Sequence, residues 1–272
     1  MTLDSMGGSA LDYLACRYGN SKLLFRGPRK DLGSPYVAFL GGTETYGKFV
    51  AEPFVDLLDQ RLEQTCVNFG CVNAGVDVFL NDPFLPEAAH KARVTVLQVT
   101  GAQNLSNRLY AVHPRRNDRF VSATKMLKSI FPDVDFAGFH FNKHMLKHLQ
   151  ALSPDRYRIV EQELQDAWKA RMEKLTQRIA GRILLTWVSE RHPEDEDRED
   201  VEPMHVDRDM IEHMRPYVTE IAEITPSQAA LTTGCEGMVY NELEAPAARE
   251  IMGPKAHEEI ADELLPVLSG ML

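Results

Sequence analysis

Five short segments rich in strand-forming residues, "YVAFL" (36–40), "TCVNF" (65–69), "VTVLQV" (94–99), "ILLTWV" (183–188) and "VTEIAEI" (218–224), alternate with stretches of helical periodicity. Strands with so few polar positions have little to offer water, so both faces must be covered. A parallel pair needs a crossover between its strands, and a helix is the usual one. The alternation therefore predicts a five-stranded parallel, doubly wound sheet in a three-layer α/β/α sandwich. The helical stretches agree. "FVAEPFVDLLDQRLEQ" sets Phe54, Leu57, Leu58 and Leu62 at helical spacing, and "GPKAHEEIADELLPVL" opens on Gly253 and Pro254, a helix-start signal. In such a sheet ligands sit beyond the carboxyl ends of the strands.

With 272 residues, 44% of them hydrophobic, the chain can build a substantial core. It shows no internal repeat and no second core pattern, so residues 1–272 are read as one domain, with an N-terminal extension (1–34) and a helical insertion (105–182). The link across residues 100–182 is far longer than an ordinary crossover and must hold structure of its own. Its second half carries Val160, Leu164, Trp168, Met172, Leu175 and Ile179 on one stripe. That marks a long amphipathic helix, which covers the sheet or, as the second option, forms a homodimer seam. "SERHPEDEDREDVEP" (189–203) is charged and broken by proline, and reads as a solvated loop. Met204, His205 and Asp207 then lead into a helix, with Asp207 as its cap.

Forty acidic residues against thirty basic ones give a net charge of −10, which disfavours non-specific attraction to nucleic acid or anionic membrane. Neither a run long enough to span a bilayer nor a signal peptide is apparent, so the expected address is the cytoplasm. Cys16, Cys66, Cys71 and Cys235 form no metal pattern and read as thiols. No cofactor and no metal site is expected.

The first strand runs into "GGTETYG". A strand ending in Gly41-Gly42-Thr43 and turning into a helix exposes the Thr43 side chain near the helix's first N–H groups, a place suited to developing negative charge or to a phosphate. The phosphate option lacks the full G-x-x-x-x-G-K-[ST] pattern, and G-x-G-x-x-G is absent too. "VNFGCVNAG" puts Gly70 after the second strand. "VLQVTGAQNLSNRLY" puts Gly101, Gln103 and Asn104 after the third.

On these residues the chain resembles the SGNH/GDSL hydrolases. "FLGGTETYG" is similar to their first block, usually Gly-Asp-Ser-x-Thr-x-Gly; Gly70 to their second-block glycine; and "TGAQN" to their third block, Gly-x-Asn-Asp. Within that superfamily it resembles a bacterial group bearing the GGTETYG signature. The resemblance implies ester hydrolysis or acyl transfer on a small substrate. Thr43 would stand in for the nucleophilic serine, Gly42 for the aspartate, and Gln103 or Asn104 for the third-block asparagine. The oxyanion would be held by the N–H of Thr43 with Gly70 and one of those amides, and Glu44 is counted with the substrate-binding residues.

Threonine's extra methyl crowds attack, so a well-placed base is needed. The resemblance implies Asp-x-x-His before the last helix, but position 254 is proline. His257 is the candidate base, at the start of the last helix, where the positive helix end keeps imidazole neutral. It also lies in line with Ala261, Leu264 and Leu268 on the apolar face. Glu244 or Glu250 could orient it. Residues 105–150 hold eight Lys and Arg against three Asp. Arg115 and Arg116 are read either as forks for an anionic substrate or as a solvated loop paired with the acidic stretch at 190–202. His140, His144 and His148 share a helical face without a complete metal set. The rival functions are a catalytically lapsed protein that binds an anion or a partner on the same fold, and phosphate or nucleotide handling at the same helix start.

Overall fold

A computed structural model describes residues 11–195 and 201–272. Its strands are β1 (Tyr36–Leu40), β2 (Thr65–Asn68), β3 (Val94–Gln98), β4 (Tyr110–His113), β5 (Arg116–Ala123), β6 (Ile183–Val188) and β7 (Glu220–Ile224). Five of them form one sheet in the order β2-β1-β3-β6-β7, every pair parallel. β4 and β5 make a separate antiparallel hairpin inside the insertion. The fold is thus a three-layer α/β/α sandwich, as the strand pattern predicts.

Side chains alternate across the sheet and each face has its own core. Val37, Phe39, Val94, Val96 and Leu184 pack against the helices Phe54–Arg61 and Pro254–Met271. Ala38, Leu40, Leu97, Ile183 and Leu185 pack on the other side, where the 26-residue helix Pro154–Ile179 lies. Its stripe of Val160, Leu164, Trp168, Met172, Leu175 and Ile179 is at most 1% exposed, so those side chains are spent inside the chain and not on a dimer seam. The extension is part of the same core: Tyr18 and Phe25 are buried with Phe69, and the Arg26 guanidinium donates to Gly47 O at 2.8 Å and Ala51 O at 2.6 Å.

The expected loop 189–203 is corrected at its flanks. Arg191 is only 3% exposed, donates to the carbonyls of Pro203 and Val206 at 2.8 Å each, and lies over the Trp187 ring. A guanidinium can be buried when its donors find carbonyls and its plane finds an aromatic face. The remainder of that stretch, 196–200, lies outside the described residues. Asp207 caps its helix as expected, accepting from Met210 N–H at 2.9 Å. No helix among the described residues is long and apolar enough to cross a membrane.

Candidate functional site

Strand order reverses between β1 and β3, and their carboxyl ends meet at the "GGTETYG" turn. Leu40 is followed by one helical turn, Thr43–Tyr46. Gly47 ends it at φ 71°, and its N–H returns to the carbonyls of Thr43 and Glu44. Backbone at that φ suits glycine.

Gln98, at the last position of β3, is the keystone of this turn. Its Oε1 accepts from Gly42 N–H (2.9 Å), Thr45 N–H (3.3 Å) and Thr45 Oγ1 (2.6 Å), and its Nε2 donates to Glu44 Oε2 (2.8 Å). Gly41 is required here, because a Cβ would meet Thr45 Oγ1 at 2.1 Å and Gln98 Oε1 at 2.4 Å. Asn68, at the end of β2, ties the turn from the other side by donating to Thr45 O at 2.6 Å.

Above the turn lies a cavity of about 770 Å³. Thr43, Glu44, Asn73, Gln103, Asn104 and Glu202 are among its lining residues, and His144, Lys143 and Lys147 reach it from the insertion. A small recess beneath it is lined by Gly42, Thr43, Glu44, Gln98, Asn104 and Glu202. Thr43 Oγ1 donates to Asn73 Oδ1 at 3.2 Å and accepts Asn73 N–H at 3.1 Å. Asn73 is held at φ 55°, a left-handed conformation that asparagine tolerates better than most side chains.

Glu44, Asp118, Glu190, Glu202 and Glu250 line the cavity, and Glu44 and Glu202 also line the recess. Burial pushes the Glu44 carboxyl above its ordinary range, against the hydrogen bond from Gln98, and Glu190 pushes the same way. Glu202 is raised chiefly by the surrounding protein, with Glu44 adding to the rise and the Met204 N–H and Lys143 opposing it, although it still presents surface to the cavity's solvent. Gln103 Nε2 donates to Glu202 Oε1 at 2.6 Å. Lys48, Lys143, Lys147 and Arg249 supply basic lining to the outer cavity beside its five acidic residues, whereas no basic side chain among the described residues lines the recess.

Several expected residues stand elsewhere. His257 is not at this site: it is 1% exposed in the apolar layer under β1, its Nδ1 accepts Phe54 N–H at 3.2 Å, and its ring stacks on Phe54. The positions it shares with Ala261, Leu264 and Leu268 decide its place, which corrects its expected role as base. Burial first, and the Arg26 charge second, push its pKa down to about 3. The folded state holds the neutral ring, while the unfolded chain takes up a proton near 6.5. Its contribution to stability is therefore complete above pH 6.5 and is lost as pH falls toward 3, by about 2 kcal/mol at pH 5. His257→Gln, whose amide can still accept from Phe54 N–H, is expected to flatten the decline in unfolding free energy between pH 6.5 and 5; equal slopes in urea titrations of the two proteins would contradict this.

Gly70 is corrected as an oxyanion donor, because its N–H is spent on Asn68 Oδ1 at 2.9 Å. Its Cα instead lies against the turn, where a Cβ would meet Tyr46 N at 2.4 Å. Gly42 lines the recess, but its N–H is spent on Gln98. Arg115 and Arg116 stand exposed at the tip of the β4–β5 hairpin and do not line the cavity; its basic side chains come from other positions. Glu250 does reach it, but His257, the histidine it was expected to orient, does not. Asn73, Gln98 and Glu202 were not singled out by the sequence. The amides at strand ends were the available signal, since a polar side chain closing an apolar strand needs a reason. Among the described residues no group of three or more His, Cys, Asp or Glu is placed to hold a metal.

The model of a family described as "Domain of unknown function (DUF6473)" matches residues 1–272. The chain belongs to this family. No curated protein matches it. Among solved structures it is similar to the lipase Lip_vut3 from a goat rumen metagenome, at 15% identity and a TM-score of 0.41, over 85% of this chain and 96% of that one. This member of the family thus places the Thr43 hydroxyl, amide side chains and a charged cavity at the switch point of a wound sheet.

Proposed function

We propose that the cavity is the active site of a divergent SGNH-like ester hydrolase or acyltransferase that takes a small anionic substrate. The observation that carries this reading is the convergence on one cavity of the Thr43 hydroxyl, the Asn104 amide and the imidazole of His144. Thr43 Oγ1 attacks the acyl carbon, and its proton passes to His144, the histidine lining the cavity. The Asn104 N–H2 faces the acyl oxygen as negative charge develops there. The leaving alkoxide takes the proton back from His144, and water or an acceptor hydroxyl then removes the acyl group from Thr43. Lys48, Lys143, Lys147 and Arg249, set beside five acidic lining residues, are the groups that pair with the substrate's anionic end.

A specific observation favours a second reading, a binding site without turnover: Asn73 engages the Thr43 hydroxyl both as donor and as acceptor. A panel of short-chain esters and acyl-CoA donors, each paired as a neutral and a carboxylate-bearing version, separates the two. Turnover with preference for the carboxylate-bearing member is the expected result. Absence of turnover, with the free carboxylate raising the melting temperature, would favour binding alone.

A further inference from the structure

We propose that Asn142, in the insertion, is a positioning residue that fixes which way round the Asn104 amide sits, turning its N–H2 away from Asn142 and toward Asn73 on the cavity wall. The inference rests on the reading above, in which that N–H2 serves the acyl oxygen.

An amide's oxygen and nitrogen are alike in shape, so its neighbours decide its orientation. The carbonyl of Asn117 can only accept, and Asn142 Nδ2 donates to it, which settles the orientation of Asn142. The same Nδ2 lies 3.1 Å from Asn104 Oδ1, so Asn104 presents its oxygen to Asn142. Its Nδ2 then points the other way, 3.3 Å from Asn73 O, a second backbone carbonyl that can only accept. Obligate acceptors at both ends of the chain thus demand the same polarity. Turning Asn142 over would set its oxygen against two acceptors at a side chain with 0% exposure, where no bulk water compensates. Its Oδ1 has no hydrogen-bond partner among the described residues, so the hydrogen bonds of this side chain are those of its N–H2.

The far end is anchored as firmly. Asn117 Oδ1 accepts from Gly75 N–H and Val78 N–H, each at 3.2 Å, and its Nδ2 donates to His113 O at 3.0 Å. β5 and the helix Asn142–Leu152 therefore reach across to an amide in the loop after β3, and the Asn73 contact, at 3.3 Å, is too long to hold that amide alone. In this way the insertion acts on the site without touching substrate through Asn142.

Neutron diffraction of the wild-type protein reads the orientation directly: deuterons are expected on the Asn104 atom facing Asn73, and deuterons on the atom facing Asn142 would overturn the proposal. Asn142→Asp tests the coupling with almost no change of shape. A protonated carboxyl has one O–H and can donate to Asn104 only by giving up the bond to the Asn117 carbonyl, whereas an ionised one offers only acceptors and favours the reversed amide. Ester turnover of the variant is expected to be closest to wild type at low pH and to fall a further ~10²-fold, in kcat more than KM, as pH rises through a new ionisation. A variant pH profile that superimposes on wild type would refute the coupling. Where wild type turns over no ester, the proposed function fails by itself, and neutron diffraction of the variant at high pH decides the coupling: a reversed Asn104 sustains it and an unmoved one ends it.

Discussion

Thr43→Ala is expected to lower ester turnover by about 10³-fold or more, because the variant lacks the oxygen to which the proposed mechanism transfers the acyl group. The fold should tolerate the change. The threonine hydroxyl is partly exposed, its two hydrogen bonds go to Asn73 alone, and the turn is held by Gln98 and Asn68 through Gly42, Glu44 and Thr45. A net loss of about 1 kcal/mol follows from the hydrogen bonds removed. Thr43→Ser should keep or raise activity, since it retains the oxygen and removes the methyl that crowds attack. Steady-state kinetics beside thermal melts check both halves. A large fall in stability with Thr43→Ala would mean that the hydroxyl serves the fold.

Trp168→Ala should cost about 3–5 kcal/mol, read from urea unfolding midpoints. Trp168 is 0% exposed in the middle of the long helix, and its Nε1 donates to Thr100 O at 2.8 Å, just beyond the end of β3. The substitution opens a cavity the size of an indole and leaves a buried carbonyl unpaired, two penalties that act together. Thr100 belongs to the recess wall next to Gln98, so a Trp168→Phe variant, which retains most of the volume but loses the donor, should loosen the site more than its smaller stability cost suggests.

The sheet was legible because apolar runs of five or six residues separated by helical periodicity admit few other arrangements, and each expected strand appears within about two residues of its expected ends. "GGTETYG" was legible as a turn at a strand end for the same reason. What the sequence hid was pairing. Gln98 reads as one more residue of "VTVLQV", and only the return of β1 beside β3 makes its amide the clamp on the Thr43 turn. Asn142 sits at the start of an ordinary amphipathic helix, and its contact with Asn104 spans 38 positions. His257 misled because two forces act at one place. A helix start favours a neutral imidazole, but a position aligned with Ala261, Leu264 and Leu268 faces the core, and burial won. Arg191 was obscured by the charged run after it, although Trp187 and two carbonyls give its guanidinium a buried seat. Local pattern carries strands and stripes, while partners distant in sequence decide which polar side chains become a site.

Acylation of the Thr43 oxygen is tested by quenching the protein with acid during turnover of an anionic ester and mapping the acyl mass by peptide mass spectrometry. The predicted result is one added acyl group on Thr43 in the peptide containing "GGTETYG", absent from Thr43→Ala. An acyl group on a different residue, or undiminished turnover in Thr43→Ala, would contradict it.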